Sequence, residues 1–136
     1  MSKLLQRLRD PTRSGVYRAR APEAILEATR GSGLDVVVID VQEDDVFGSL
    51  ARALDFPDWF GANWDALEDC LSDLSWRKGD GHVLIFRSTP AGDVLGVLID
   101  VLRSSAEYWA GRGKPFFAVL LDPVKKLALP ELYREA

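Results

Sequence analysis

Four carboxylates, Asp65, Glu68, Asp69 and Asp73, recur at helical spacing within a chain of 136 residues. Carboxylates at i, i+3 and i+4 suit two kinds of chemistry. They can hold a hard cation such as Mg²⁺ or Ca²⁺. They can also make charge-assisted hydrogen bonds to the guanidinium, ammonium or imidazolium groups of a partner. The first use, as in a metal-dependent hydrolase built on Asp65, Glu68 and Asp69, needs a second ligand cluster, a nucleophile–base pair or a phosphate loop. None is evident. His82 is the single histidine and Cys70 the single cysteine. That nearly excludes zinc enzymes and leaves little room for histidine acid–base catalysis. His82 leads a predicted strand and is expected as a strand-edge residue. Cys70 is expected as a small buried side chain beside Leu71. A lone cysteine forms no internal disulfide and fits a reducing compartment. No cofactor is expected.

Charge is distributed unevenly along the chain. The net charge is −4, yet residues 35–73 carry eleven acids and one base, Arg52. The first 34 residues are at +4 and the last 63 at +2. An acidic segment repels phosphate and favours a basic partner, so direct nucleic-acid binding through it is not expected. A solvated surface is the plain alternative, and Lys125-Lys126 reads as no more than that. The composition, 47% hydrophobic and 28% charged, is that of an ordinary single domain with a real core. No apolar run is long enough to span a membrane, and Met1–Asp10 lacks the apolar stretch of a secretory signal.

The acids need a scaffold, and the apolar pattern supplies one. Asp35–Val41 (DVVVIDV), His82–Arg87 (HVLIFR) and Phe116–Leu121 (FFAVLL) are continuous apolar runs, the mark of strands covered on both faces. DVVVIDV reads as a central strand. Between the runs lie helical patterns at Glu43–Leu54, about Trp64–Leu74, and about Asp93–Ala110. Three apolar strands joined by helices predict a three-stranded parallel sheet packed with helices. Gly31-Ser32-Gly33 precedes a strand instead of following one, so it is a turn and not a dinucleotide fingerprint. The division expected is an N-terminal extension (1–34), an α/β domain (35–122) and a C-terminal tail (123–136). The first fifteen residues read as a mobile or loosely docked arm. Val16–Ala19 reads as a short strand, Pro22–Arg30 as a short helix, and the tail as one more short helix.

On a wheel turning about 100° per residue, Phe60, Trp64, Leu67, Leu71 and Leu74 share one side. Asp65, Glu68, Asp69, Ser72 and Asp73 share the other, with no lysine or arginine among them. A helix built only for stability usually pairs Glu with Lys at i+4. Asn63 is placed to cap this helix. Gly61 suits a tight loop with positive φ. Trp59 falls between the two faces, as a contact or a core residue. Phe60 reads as core. Aromatics beside an unpaired acidic face are the makings of an interaction hot spot.

The segment WFGANWDALEDCL resembles the signature of the barstar family, intracellular protein inhibitors of secreted ribonucleases of the barnase type. The matching positions are Trp59-Phe60, Gly61, Asn63, Asp65-Ala66-Leu67 and Asp69-Cys70-Leu71, and the three apolar runs fall in the places of the family's strands. The resemblance covers residues 35–122. It implies a barstar-like α/β fold, no enzymatic activity, cytoplasmic residence and a small basic secreted ribonuclease as partner. By position, Asp69 would be the principal phosphate mimic and Asp65 a second charged contact, with Trp59, Gly61 and Asn63 forming the contact loop. Glu68, Asp73 and Trp76 complete the candidate surface. Glu68 stands where the best-known member has a tryptophan that touches the enzyme. Tyr108 stands where that member has a contacting glutamate, and the neighbouring Glu107 points about 100° away. These departures favour a second reading: an interaction or immunity protein of the same fold for another basic target, such as a different nuclease toxin.

Overall fold

A computed structural model describes residues 2–134. The elements in chain order are α1 (Lys3–Leu8), a 3₁₀ turn (Pro11–Arg13), β1 (Gly15–Ala19), α2 (Glu23–Thr29), β2 (Asp35–Asp40), α3 (Val46–Leu54), α4 (Trp64–Leu71), β3 (His82–Ser88), α5 (Gly92–Gly111) and β4 (Phe116–Leu121). The sheet is parallel throughout, in the order β1-β4-β3-β2.

Four strands stand where three were expected. The fourth is β1, which pairs with β4 from Gly15↔Phe117 to Ala19↔Leu121. Its short sequence GVYRA includes an arginine and no apolar run, yet it touches both cores, Val16 on one face and Tyr17 and Ala19 on the other. DVVVIDV is also placed differently. It is covered on both faces but sits at the sheet's other edge, as β2. A continuous apolar run reports covered faces, not strand neighbours on both sides.

Alternate residues of the middle strands feed two cores. Leu84, Phe86, Phe116, Ala118 and Leu120 pack with Leu50, Leu67, Leu71, Leu98 and Leu102 of α3, α4 and α5. Val83, Ile85, Phe117 and Val119 face the other way, onto Leu8 of α1, Ile25 of α2 and Leu132 of the tail. The N-terminal segment is therefore docked, not a loose arm. Leu8 is fully buried, Arg7 donates to the Leu132 carbonyl at 2.7 Å, and Arg9 donates to the Ser32 carbonyl.

The tail forms no helix among its described residues. It runs in extended form beside β1: Arg18 N–H donates to the Pro130 carbonyl and Leu132 N–H to the Arg18 carbonyl. Pro123 and Pro130 interrupt helical hydrogen bonding. The buried Asp122 carboxylate accepts from the backbone of Lys126 and Leu127, turning the chain at that point.

Candidate functional site

The acidic segment is built on α3, the loop after it, and α4. Helix α3 starts at Val46, three residues later than expected, because Asp45 caps it by accepting from Gly48 N–H. It ends on Asp55 in the left-handed conformation, φ 55°. The chain then turns through Phe56–Ala62 into α4. Asn63 caps α4 as expected, its side-chain oxygen accepting from Ala66 N–H at 2.8 Å. Its amide also donates to the Gly61 carbonyl. Positive φ falls on Ala62 (51°) and not on Gly61. A Cβ at Gly61 would meet only ordinary contacts, so the loop's backbone strain sits one residue later than expected.

Helix α4 ends at Leu71, with Ser72 as its C-cap. The apolar pattern continues to the buried Leu74, but Leu74 has φ 51° and lies outside the helix. Asp73 therefore stands just beyond the helix, not on its last turn. The helix buries Leu67, Cys70 and Leu71. Burial first, then the charges of Asp69 and Asp73, push the Cys70 thiol above its ordinary range, so it is a poor nucleophile at neutral pH.

The acids of residues 35–73 divide into two groups. Asp35, Asp40, Asp45 and Asp55 pair with Arg77, Arg87, Arg52 and Arg77 respectively, and Glu43 accepts from Ala91 N–H. Asp44, Asp58, Asp65, Glu68, Asp69 and Asp73 have neither an ion pair nor a side-chain hydrogen bond among the described residues. Asp65, Asp69 and Asp73 are exposed and Glu68 is half-buried. Within residues 35–73, four of the six unpaired carboxylates thus lie on α4 or just after it: Asp65, Glu68, Asp69 and Asp73.

The aromatics beside them take distinct places. Trp59 is 62% exposed. Phe60 and Trp64 are half-buried against Phe47, with ring centroids 6.4 and 4.9 Å away. Trp76 is half-buried and turned inward: its indole N–H donates to the Leu54 carbonyl at 2.8 Å. Its ring meets Phe56 and Trp59 edge-on, at 6.0 and 6.4 Å. Trp76 is therefore a support of the loop more than an open contact. Trp109 Nε1–H donates to the Leu71 carbonyl, fastening α5 to the end of α4. One residue away, Tyr108 is partly exposed and accepts from Arg112 Nε, whose guanidinium lies 4.9 Å from the ring centroid.

One group behind the site is not legible from local spacing. Arg77 grips Asp35 through Nε and Nη2 at 2.7 and 3.0 Å, and reaches Asp55 through Nη1 at 3.0 Å. His82 Nδ1 lies 2.9 Å from the same Asp35 carboxylate. The carboxylate only accepts, which sets Nδ1–H as the donor. His82 is not an open strand-edge residue. It is 3% exposed and packed against Trp109 and Phe116. Burial would raise the Asp35 carboxyl, but hydrogen bonds from Arg77 and His82 outweigh it and hold it below its ordinary value. Burial of His82 outweighs the pull of Asp35 and lowers the imidazole. The only sequence signals were a lone acid and a lone histidine at the starts of strands that prove to be neighbours.

These directions set a pH dependence. A lowered histidine favours folding above its unfolded value of about 6.5, and the advantage is lost as pH falls towards the folded value. Asp35 adds a loss of the same sign below about pH 4. The melting temperature is expected to fall as pH drops from 7 to 5. His82→Asn keeps an N–H donor without the titration, so it is expected to flatten that fall. A thermal-denaturation series on both proteins checks this.

No group of three or more His, Cys, Asp or Glu that could hold a metal ion converges among the described residues. No described helix is long and apolar enough to cross a membrane. No curated protein and no solved structure matches the chain. A family model described as Barstar (barnase inhibitor) matches residues 36–121, from β2 through β4. With well over half its length matched, and with the loop, α4 and three of the four parallel strands inside that match, the chain belongs to the Barstar family.

Proposed function

We propose that this protein is an inhibitor, not an enzyme, that seats the loop before α4 and the exposed side of α4 in the cationic active site of a ribonuclease. A site that holds an RNA phosphate carries arginine, lysine or histidine. Fixed carboxylates can take the phosphate's place through charge-assisted hydrogen bonds. In this reading Asp69 is the principal phosphate mimic and Asp65 a second charged contact. Glu68 and Asp73 extend the field, and Trp59 supplies exposed aromatic area. Gly61 lets the loop approach closely. Asn63 and Trp76 act mainly by holding it. Cytoplasmic residence would protect the producing cell from such a nuclease.

The observation that carries the reading is the bareness of Asp65, Glu68, Asp69 and Asp73 in a molecule that pairs most of its other nearby acids. Barnase is the first enzyme to try, given the family. Titrating the protein into a barnase RNA-cleavage assay is expected to abolish cleavage near one equivalent. A second reading keeps the surface and changes the target. It is favoured by Glu68 and by the Tyr108–Arg112 pair, which puts a cation at the end of α5. Full barnase activity in excess protein, with capture of a different basic nuclease, would favour it.

A further inference from the structure

The contact loop is tied at its start to a short strap, Trp76-Arg77, that follows α4. Trp76 holds the Leu54 carbonyl and packs edge-on against Phe56 and Trp59. Arg77 joins Asp55, the left-handed residue that ends α3 and opens the loop, to Asp35 at the start of β2. Its guanidinium is fixed. The side chain is 17% exposed, and two of its nitrogens are committed to an Asp35 carboxylate that is 9% exposed. Asp55 itself is 77% exposed. A surface carboxylate is thus held by an anchored cation rather than by a mobile one.

We infer that Arg77 is a positioning residue: through Asp55 it holds the Phe56–Phe60 loop in its binding shape. This rests on the reading of that loop as partner-binding. A loop ordered in advance loses less conformational freedom on association, which appears mainly as slower dissociation. The arrangement lies outside the acidic face itself and needs no contact between Arg77 and the partner.

Asp55→Asn separates this role from stability. It removes the charge from the loop end of the strap, reducing an ion pair to a weaker neutral-acceptor hydrogen bond, while leaving Arg77 on Asp35. Backbone amides of Phe56 and Trp59–Phe60 are expected to exchange about threefold faster, the scale of one exposed ion pair, while amides of β3 are unchanged. Dissociation from barnase, measured at high salt to screen the lost charge, is expected to quicken by a similar factor. Asp55→Glu, which restores the carboxylate, is expected to recover both. Unchanged loop exchange would overturn the inference, and so would faster exchange with unchanged dissociation. Exchange needs no partner. A wild-type protein that ignores barnase would count against the inhibitor reading, while loop exchange would still decide whether Arg77 holds the loop.

Discussion

Asp69→Ala is expected to weaken binding to barnase by about thirtyfold or more, with no loss of fold stability. Both halves follow from its place. Asp69 is exposed in mid-helix with no partner of its own, so truncation breaks no internal contact. It also relieves repulsion from Asp65, four residues earlier on the same helix, which costs a few tenths of a kcal/mol. A carboxylate at the centre of an interface, desolvated against guanidinium or ammonium groups, is the kind of residue whose truncation costs about 2 kcal/mol or more. Its loss also strands the partner's cations. The melting temperature should therefore hold or rise slightly while affinity falls. Titration calorimetry and thermal melts on the same preparation check both. Unchanged affinity in the folded variant would remove Asp69 from its assigned role.

Arg77→Ala is expected to lower fold stability by about 3 kcal/mol. The ion pair with Asp35 is nearly dry, 17% and 9% exposed. Removing one partner from such a pair leaves a charge without adequate compensation. His82 stays within hydrogen-bond reach of Asp35, but it is held towards its neutral form by burial. The double variant Arg77→Ala/Asp35→Asn removes the stranded charge and should recover part of the loss. Urea denaturation of the two variants measures this. A cost below about 1 kcal/mol would mean that the pair behaves as a surface ion pair.

The contrast between these two aspartates shows what a sequence can and cannot disclose here. Charge density in residues 35–73 was plain to read, and so was the acidic stripe of α4. Which acids are neutralised was not. Asp35 and Arg77 are forty-two residues apart and meet because the loop from α4 into β3 passes the start of β2. The three apolar runs announced their strands because both faces of the sheet are covered. β1 gave a weak signal because its five residues, GVYRA, bury only two small apolar side chains, Val16 and Ala19. Leu74 shows the reverse error. It is apolar, at helical spacing and buried, yet its φ of 51° takes it out of α4. Periodicity records which side chains go inward, not the backbone that delivers them. The same holds for Gly61 and Ala62, where glycine marked the loop and alanine took the left-handed conformation.

On the proposed reading, carboxylates held bare on a stiff helix and its flank stand in for phosphates in a cationic enzyme site. The most direct test is the rate of association with barnase across ionic strength, for the wild type and for Asp65→Asn/Glu68→Gln/Asp69→Asn. Steering by unpaired charges predicts a fast wild-type rate that drops steeply, by about tenfold or more, as salt screens them. It also predicts a slower variant whose rate is nearly flat with salt. A wild-type rate indifferent to salt, or a variant that associates as fast and with the same slope, would contradict the account.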